Sequence, residues 1–514
     1  MDLHWFDLVI FVGFFAAAIG TSLYKSRKEK SGEDFFLAGR TLVWPLIGLS
    51  LIAANISTEH FVGMSGQGAG TMGLAVASYE WIAAITLVFV ALFFLPRFLR
   101  SGIYTIPEYL EYRYNAAARA IMALYLVIVY VAVSISAVVY SGALTLQTIL
   151  GMDLVSAVWL IGGVAALYTT WGGLKAVAWA DLFQGSALIL GGLVIMILGF
   201  RAVGGVDSFL QANADKLHMI LPADDLVLPW TALIIGIWIP NFYYWGLNQF
   251  ITQRALAART LRQGQLGIMF AATLKLFIPF IIIFPGIMAY QLYRTELTAP
   301  GATTDAAYPL LIRNLVPLGL RGFIFAAICG AVISTLGSML NSVSAILTMD
   351  LYKRHWRRDA SSRSVVTIGR AATLVFVVIV CLIAPQLGDP RFHGIFTYIQ
   401  EFQGYISPGI LAAFVFGLIF KRAPAAAGVT ALLLSVPVYG FLQWRFGEVA
   451  FLNRMAISFT VIITVMALIT CWRPLSEPKV MPVRAGFDMT ESPAIKWYGA
   501  LLILATAGLY VLFW

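Results

Sequence analysis

The stretch that decides the fold is Ala53-Ala54-Asn55-Ile56-Ser57-Thr58-Glu59-His60-Phe61-Val62-Gly63. It puts an amide, a carboxyl and an imidazole within eight residues, inside an otherwise apolar segment that is long enough to cross a bilayer. Ionisable groups at membrane depth are costly and are usually functional. Small and hydroxylated residues more often serve only the close packing of helices, and for one such segment taken alone this alternative stays open.

A second segment of this kind is Pro240-Asn241-Phe242-Tyr243-Tyr244-Trp245-Gly246-Leu247-Asn248-Gln249. Secondary transporters are often built from two inverted repeats, and interrupted segments at matching positions of the two halves indicate the binding site. Each of these two segments opens a block of five predicted membrane spans, over residues 41–203 and 229–419. We therefore predict a five-plus-five inverted repeat.

The composition places the chain in a bilayer. Of its 514 residues, 60% are apolar or aromatic and 11% are charged, whereas a soluble domain has about 45–50% and about 25% of these classes. The three cysteines lie far apart, which excludes a disulfide scaffold. The net charge of +9 has no basic stripe with interleaved aromatic residues, so nucleic acid is not an expected partner.

Several classes of enzyme are also disfavoured. No loop is long enough to fold as a soluble catalytic domain, and no phosphate-binding G-x-x-x-x-G-K-[ST] loop is present. No nucleophile–base pair or metal-ligand set appears in the sequence. We therefore do not expect an enzyme, and we expect that the protein acts within the lipid bilayer.

About fourteen membrane-spanning helices are predicted in a single polytopic domain of residues 1–514, with one extra helix before the repeats and three after them, over residues 423–514. The loops after the odd-numbered helices hold 25 of the 34 Lys and Arg residues, and the opposite loops hold eight. Basic loops are retained in the cytoplasm, so we expect a multi-pass protein of the plasma or inner membrane with both termini outside the cytoplasm. The predicted spans are 5–24, 41–66, 73–96, 118–150, 154–171, 177–203, 229–252, 264–292, 319–352, 364–385, 393–419, 423–444, 451–472 and 495–514.

Four polar side chains fall in the middle of predicted spans, namely Glu80, Asn241, Lys275 and Gln400. A carboxylate accepts two hydroxyl hydrogen bonds, an ammonium donates three, and an amide does both. This inventory suits a neutral polyol such as a sugar. The alternative is that Glu80 and Lys275 only neutralise each other. Aromatic faces against which the C–H face of a sugar ring can pack lie next to these positions, at Tyr79, Trp81, Tyr244, Trp245 and Phe396.

A second set of oxygen donors is Ala331, Ser334 and Thr335, which share one helical face because they are three and four residues apart. A carbonyl and two hydroxyls suit a hard cation such as sodium, although Ser and Thr in membrane helices usually bond back to their own backbone. Asp181 lies near the cytoplasmic end of the sixth predicted span. It either attracts a cation on an exit path or forms a surface pair with Lys175.

His60 is the histidine that lies within a broken span, one turn before Met64. No second histidine stands at the spacing of a metal site. We therefore interpret His60 as a hydrogen-bonding group rather than as a metal ligand.

Four runs are long and specific enough to compare with a known family: residues 53–63, Ala77-Ser78-Tyr79-Glu80-Trp81, residues 241–249, and Asn341-Ser342 through Met349-Asp350-Leu351-Tyr352-Lys353. They resemble the sodium/glucose cotransporter branch of the sodium:solute symporter family, and the resemblance covers nearly the whole chain. It implies an all-α membrane protein with a LeuT-type inverted repeat, one helix before the ten core helices and three after them. It also implies sodium as the co-transported ion.

The resemblance further implies roles for single residues. The sugar site would comprise His60, Glu80, Asn241, Lys275 and Gln400, with Tyr244 as an inner stacking gate. Met64, Tyr79 and Phe396 would form an outer apolar lid. The sodium ligands would be the carbonyls of Ala53, Ile56 and Ala331 and the hydroxyls of Ser334 and Thr335, with Asp181 on the inner sodium route.

Three positions depart from one or another part of the branch. His60 stands where bacterial galactose-transporting members have Gln, as it does in animal glucose-transporting members. Ala83 replaces a serine ligand that follows the Glu-Trp pair. Gly337 stands where members with a second sodium have Ser or Thr. The resemblance therefore leaves the sugar open and makes a second sodium unexpected.

The function expected from the sequence is sodium-coupled symport of a monosaccharide such as glucose or galactose by alternating access, with one sodium per sugar. One alternative is a sodium symporter for another small solute, such as myo-inositol, sialic acid or proline. A second alternative, from another class, is a sugar-gated sensor or leak that binds sugar without concentrating it.

Overall fold

The computed structural model describes residues 5–26, 37–171, 174–299, 301–388 and 395–514. The regular structure of these residues is helical, with two isolated β-bridges that join Leu42 to Ala258 and Leu221 to Pro229. The prediction of an all-α protein is therefore confirmed for the described part of the chain.

Among the residues that the structure describes as far as Leu256, there are twelve helices besides short 3₁₀ turns. They are α1 (Trp5–Ser26), α2 (Trp44–Asn55), α3 (Glu59–Ala69), α4 (Gly73–Ser101), α5 (Ile106–Arg113), α6 (Ala116–Leu150), α7 (Leu154–Trp171), α8 (Leu174–Ala202), α9 (Val206–Ala212), α10 (Trp230–Ile234), α11 (Trp238–Leu247) and α12 (Gln249–Leu256).

The second half of the chain continues with nine more helices. They are α13 (Leu261–Leu297), α14 (Ala307–Leu315), α15 (Leu320–Trp356), α16 (Ser362–Ile383), α17 (Ile395–Gln403), α18 (Ser407–Ile419), α19 (Ala425–Arg445), α20 (Phe451–Trp472) and α21 (Ile495–Leu512).

Nine helices within the described ranges are long and apolar enough to cross a membrane, and two bent helix pairs raise this number to eleven if each pair is one span. The other three predicted spans coincide with α1, α7 and the short helices α10 to α12, so the count of fourteen stays a prediction. The predicted span 393–419 begins with two residues that lie outside the described part of the chain.

The second predicted span is interrupted as expected. Helix α2 ends at Asn55, Ile56 has non-helical angles (φ −77°, ψ 89°), and α3 continues at 57° to α2. The N–H of Ser57, which an unbroken helix would direct at the carbonyl of Ala53, bonds instead to the carbonyl of Asn55 at 2.9 Å. The break therefore frees a backbone acceptor at membrane depth.

Two further helix pairs are interrupted, α11 with α12 and α17 with α18. Between α11 and α12, Asn248 is extended (φ −82°, ψ 123°), which confirms the second interrupted segment. The bend of 47° between α17 and α18 was not predicted. A residue in an extended conformation or a bend inside a span exposes backbone groups, which a membrane protein tolerates only where they are buried or line a cavity.

Helix α13 lies at the centre of this arrangement and packs against α2, α3 and α4. Its closest approach to the broken span is at Gly286, where a Cβ atom would lie 2.1 Å from the carbonyl oxygen of Ser65. Because glycine has no side chain, the two backbones can touch there. This packing brings Lys275 of α13 next to the break after Asn55.

Candidate functional site

A buried ion pair crosses the centre of the bundle. The ammonium of Lys275 on α13 donates hydrogen bonds to a carboxylate oxygen of Glu80 on α4 and to the side-chain carbonyl of Asn55 at the end of α2. Lys275 is fully buried and Glu80 is 3% exposed. The ammonium also lies 4.7 Å from the centre of the Trp245 ring, where the ring quadrupole attracts a cation.

The start of α3 adds a second carboxyl and an imidazole to this pair. Nε2 of His60 lies 3.5 Å from the other carboxylate oxygen of Glu80. Glu59 is buried, and its Oε2 has no hydrogen-bond partner among the described residues. A buried acceptor without a partner is costly, so this oxygen is available to a ligand hydroxyl.

These groups face one cavity, which has an unfilled volume of about 500 Å³ with its open side included. Its walls come from the start of α4, from α3, from α11 and from α17, so the interrupted helices of both halves contribute. The lining residues are Asn55, Glu59, His60, Tyr79, Glu80, Pro240, Asn241, Tyr244, Trp245, Phe396, Ile399, Gln400 and Gln403.

Aromatic residues form contacts at two parts of the cavity lining. Tyr79 and Phe396 meet edge to face with ring centroids 5.0 Å apart, and Met64 is completely buried. On the opposite side, the hydroxyl of Tyr244 accepts a hydrogen bond from the side-chain amide of Asn55 at 3.1 Å. Two contacts therefore join residues of the cavity lining, Tyr79 with Phe396 and Asn55 with Tyr244.

The structure brings most of the sequence-predicted sugar-site residues to one place. His60, Glu80, Asn241 and Gln400 line the cavity, and Lys275 reaches it through Glu80. Glu80 and Lys275 also pair with each other, as the alternative of mutual neutralisation requires. Binding of a solute by these two residues therefore stays a prediction. Met64 is buried but is not among the lining residues.

Three polar lining residues were missed from the sequence, namely Asn55, Glu59 and Gln403. Asn55 and Glu59 belong to residues 53–63 at the break, and their polarity within an apolar segment could have identified them as lining residues. Their orientation was not available, because it depends on the angle between α2 and α3. Gln403 follows Gln400 by three residues and lies at the unpredicted end of α17.

The residues expected to bind sodium lie on α2 and α15, which are in contact. The hydroxyl of Ser334 donates to a carboxylate oxygen of Asp181. The hydroxyl of Thr335 is buried without a partner among the described residues. Among the described residues, neither hydroxyl bonds to the backbone of its own helix, which is the usual arrangement of Ser and Thr in membrane helices.

Asp181 of α8 is fully buried rather than paired at the surface. Its Oδ2 accepts from the guanidinium of Arg254 at 3.0 Å and from the hydroxyl of Ser50 at 2.5 Å. The guanidinium also donates to the hydroxyl of Ser338 at 2.8 Å. The predicted span 229–252 ends before Arg254, which is therefore among the 25 basic residues assigned to loops. That assignment is wrong for Arg254, because its side chain is fully buried and reaches back into the bundle from α12.

Comparison with solved structures identifies the fold. The chain is similar to a Na⁺-coupled sialic acid symporter in a substrate-bound outward-open state, with a TM-score of 0.81 and 24% identity over 93% of this chain and all of that one. A transporter of the nucleobase-cation-symport-1 family in a closed conformation gives a TM-score of 0.55 at 14% identity over 87% of this chain and 97% of that one. The fold is that of a LeuT-like transporter.

Comparison of sequences defines the family. The chain is 39% identical to the sodium/glucose cotransporter of Vibrio parahaemolyticus over 100% of this chain and 99% of the relative. It is 33% identical to the sodium/myo-inositol cotransporter 2 of Oryctolagus cuniculus over 85% of this chain and 69% of the relative. Residues 35–434 match the model of the sodium:solute symporter family. The chain belongs to this family, and it is a multi-pass membrane protein with sodium as its co-transported ion.

The buried pair gives a prediction about stability. Lys275→Met leaves the Glu80 carboxylate buried without its cation, and such a loss typically costs about 3–5 kcal/mol. The double variant Glu80→Gln/Lys275→Met removes both charges, so we expect it to recover most of this loss. Thermal unfolding of the purified protein in detergent measures the difference.

The matched control is Lys496→Met, which removes an exposed lysine at the start of α21 and should leave the unfolding temperature unchanged. A double variant as unstable as Lys275→Met would show that the two charges do not balance each other in the folded protein.

Proposed function

We propose that this protein is a symporter that couples the entry of sodium to the uptake of a neutral monosaccharide, and that it works by alternating access. The observation that carries the proposal is the cavity at the interrupted helices, where two carboxyl groups, four side-chain amides, an imidazole and aromatic faces converge. The sugar named by its Vibrio relative supports the same class of solute. In this proposal the chain has fourteen spans, both termini lie outside the cytoplasm, and residues 41–203 and 229–419 are the inverted repeats.

The charges around the cavity favour a neutral polyol over an anion. Glu59 and Glu80 both line it, whereas the ammonium of Lys275 already bonds to Glu80 and Asn55. An anionic solute such as sialic acid would meet two carboxylates without a free cation. Glucose, galactose and myo-inositol carry only hydroxyls, which these acceptors and donors match.

In the proposed cycle, the contact between Tyr79 and Phe396 and the hydrogen bond between Asn55 and Tyr244 act as two gates. Separation of Tyr79 from Phe396 would open the sugar site to the outside. Breaking the hydrogen bond between Asn55 and Tyr244 would open it to the cytoplasm. In this scheme sodium, bound at the end of α2 by the carbonyls of Ala53, Ile56 and Ala331 and the hydroxyls of Ser334 and Thr335, favours the state that accepts sugar, because a ligand shifts an equilibrium only through its differential affinity for the states.

The decisive experiment is uptake by proteoliposomes that contain the purified protein, with labelled glucose, galactose, myo-inositol, sialic acid and proline. We expect one of the neutral polyols to accumulate above its external concentration when an inward sodium gradient is present, and only then. Glu80→Gln should reduce this uptake about 10–100-fold, since a charge-assisted hydrogen bond to a ligand is worth about 1.5–3 kcal/mol.

The matched control is Glu448→Gln, which alters an exposed loop carboxylate and should leave uptake unchanged. Equilibration without accumulation would identify a leak or a sensor instead of a symporter. Accumulation of proline or sialic acid alone would overturn the assignment of the solute, and normal uptake by Glu80→Gln would remove Glu80 from the site.

The hydroxyl of Thr335, which has no partner among the described residues, gives a prediction about the sodium dependence of uptake. Thr335→Ala removes one of five proposed oxygen ligands, so more sodium should be needed for half-maximal uptake while the affinity for sugar at saturating sodium changes little. Thr506→Ala is the matched control because the buried hydroxyl of Thr506 bonds back to the carbonyl of Leu502. A fall in sugar affinity with an unshifted sodium dependence would show that Thr335 belongs to the sugar site.

The surroundings of Asp181 support a ratio of one sodium per sugar. A second cation one turn further along α15 would need oxygens near Gly337, which has no side chain to offer. Asp181 and the hydroxyl of Ser338 are the nearest candidates, and both already bond to the guanidinium of Arg254. The guanidinium therefore supplies a positive charge where a second sodium would otherwise lie.

The ratio is measured by reversal potentials of sugar-dependent flux in proteoliposomes. Each sodium contributes about 2.3 kcal/mol per 100 mV, so the sugar gradient that balances a given voltage distinguishes one sodium from two. We expect the slope for one. A slope for two would show that Arg254 and Gly337 do not prevent a second site.

A further inference from the structure

The surface of the bundle carries an aromatic groove away from the sugar cavity. Helix α4 supplies Phe89, Phe93 and Phe94 to one wall, and the segment from the end of α10 into α11 supplies Ile234, Ile235, Trp238, Ile239 and Phe242. Helices α18 and α20 close the other side. The unfilled volume of the groove is about 1140 Å³ with its open side included. Large exposed apolar surfaces of this kind mark sites of interaction with a membrane, a partner or a ligand.

One end of the groove is basic. Arg97 is exposed and is the charged residue of the lining, and its guanidinium donates to the carbonyl of Phe93 at 2.6 Å. Two backbone hydrogen bonds hold the segment after α20 against the ends of the groove walls, from Arg484 to Arg100 at 2.7 Å and from Lys479 to Lys421 at 2.9 Å. We call the resulting group the basic rim: Arg97, Arg100, Lys421, Arg422, Lys479 and Arg484.

The basic rim is not offset by an equal number of acids. Glu477 is the acidic residue of the segment between Arg473 and Arg484. The rim also belongs to the loops that the excess of Lys and Arg predicts to be cytoplasmic. Anionic phospholipids of the cytoplasmic leaflet attract basic residues.

A second apolar groove among the described residues lacks this combination. That groove is lined by residues of α1, α6, α7 and α15, among them Phe11, Phe15, Leu160 and Phe325, and its lining contains no charged residue. It can hold a lipid chain, but it has nothing to distinguish one headgroup from another.

We propose that the aromatic groove is a binding site for an anionic phospholipid, with an acyl chain along Phe93, Phe94 and Phe242 and the phosphate at Arg97. A zwitterionic lipid fits the same groove but gains less from the rim, since each basic residue near an anionic headgroup favours it by roughly fivefold. Phe242 follows Asn241 on α11, whose residues also line the sugar cavity. Lipid in the groove therefore packs against a helix of the solute site.

The test is native mass spectrometry of the purified full-length protein with equal amounts of phosphatidylglycerol and phosphatidylcholine of the same acyl chains. We expect the wild type to retain phosphatidylglycerol preferentially and Arg97→Gln to lower the ratio of the two lipids about fivefold. Arg358→Gln removes an exposed basic residue remote from the groove and should leave the ratio unchanged.

A second pair of variants tests the acyl-chain site independently of charge. Phe93→Ala should lower the retention of both lipids, whereas Phe441→Ala, which removes another exposed phenylalanine on α19, should not. Equal retention of the two lipids by the wild type, or an unchanged ratio in Arg97→Gln, would overturn the proposal. An equal loss in Arg358→Gln would do so too, because it would show that diffuse surface charge sets the preference.

Discussion

A charge in the middle of a membrane bundle must be compensated, and the rest of this structure depends on how Lys275 meets that requirement. Its ammonium is fully buried and bonds to Glu80 and Asn55, so it ties α13 to α4 and to the broken end of α2. Removing any one of these elements would leave a charge in a low-dielectric interior, where it is far more costly than in water. The pair therefore fixes the relative position of α13, α4 and the end of α2, next to the cavity.

A second buried ion pair, between Asp181 and Arg254, also contacts helix α2. Ser50 bonds to both Asp181 and Arg254, whereas Asn55, at the end of the helix, bonds to Lys275. One short helix thus contacts the cluster next to the proposed sodium ligands and the cluster that lines the sugar cavity. A movement of α2 would change the contacts of both clusters together, which gives the proposed coupling of sodium to sugar a physical basis.

The sequence was sufficient for the features that depend on local polarity. The interruption at residues 55–59 and the mid-span position of Glu80 and Lys275 follow from polar residues in apolar runs, and most of the predicted sugar-site residues do line one cavity. The features that depend on distant contacts were not accessible. Arg254 looks like a loop charge until the fold places it beside a carboxylate 73 residues earlier in the chain, and the bend between α17 and α18 has no strong local signal.

The direction of one hydrogen bond explains why Ser334 suits a cation. Because its hydroxyl proton is donated to Asp181, the oxygen lone pairs are left to face another partner, and the neighbouring hydroxyl of Thr335 has none of its own among the described residues. The carboxylate thereby increases the negative charge on the Ser334 oxygen, as an ionised acceptor does for its donor. Arg254 bonds to the other oxygen of Asp181, so in the proposed sodium site this carboxylate acts on the cation only through the hydroxyl of Ser334.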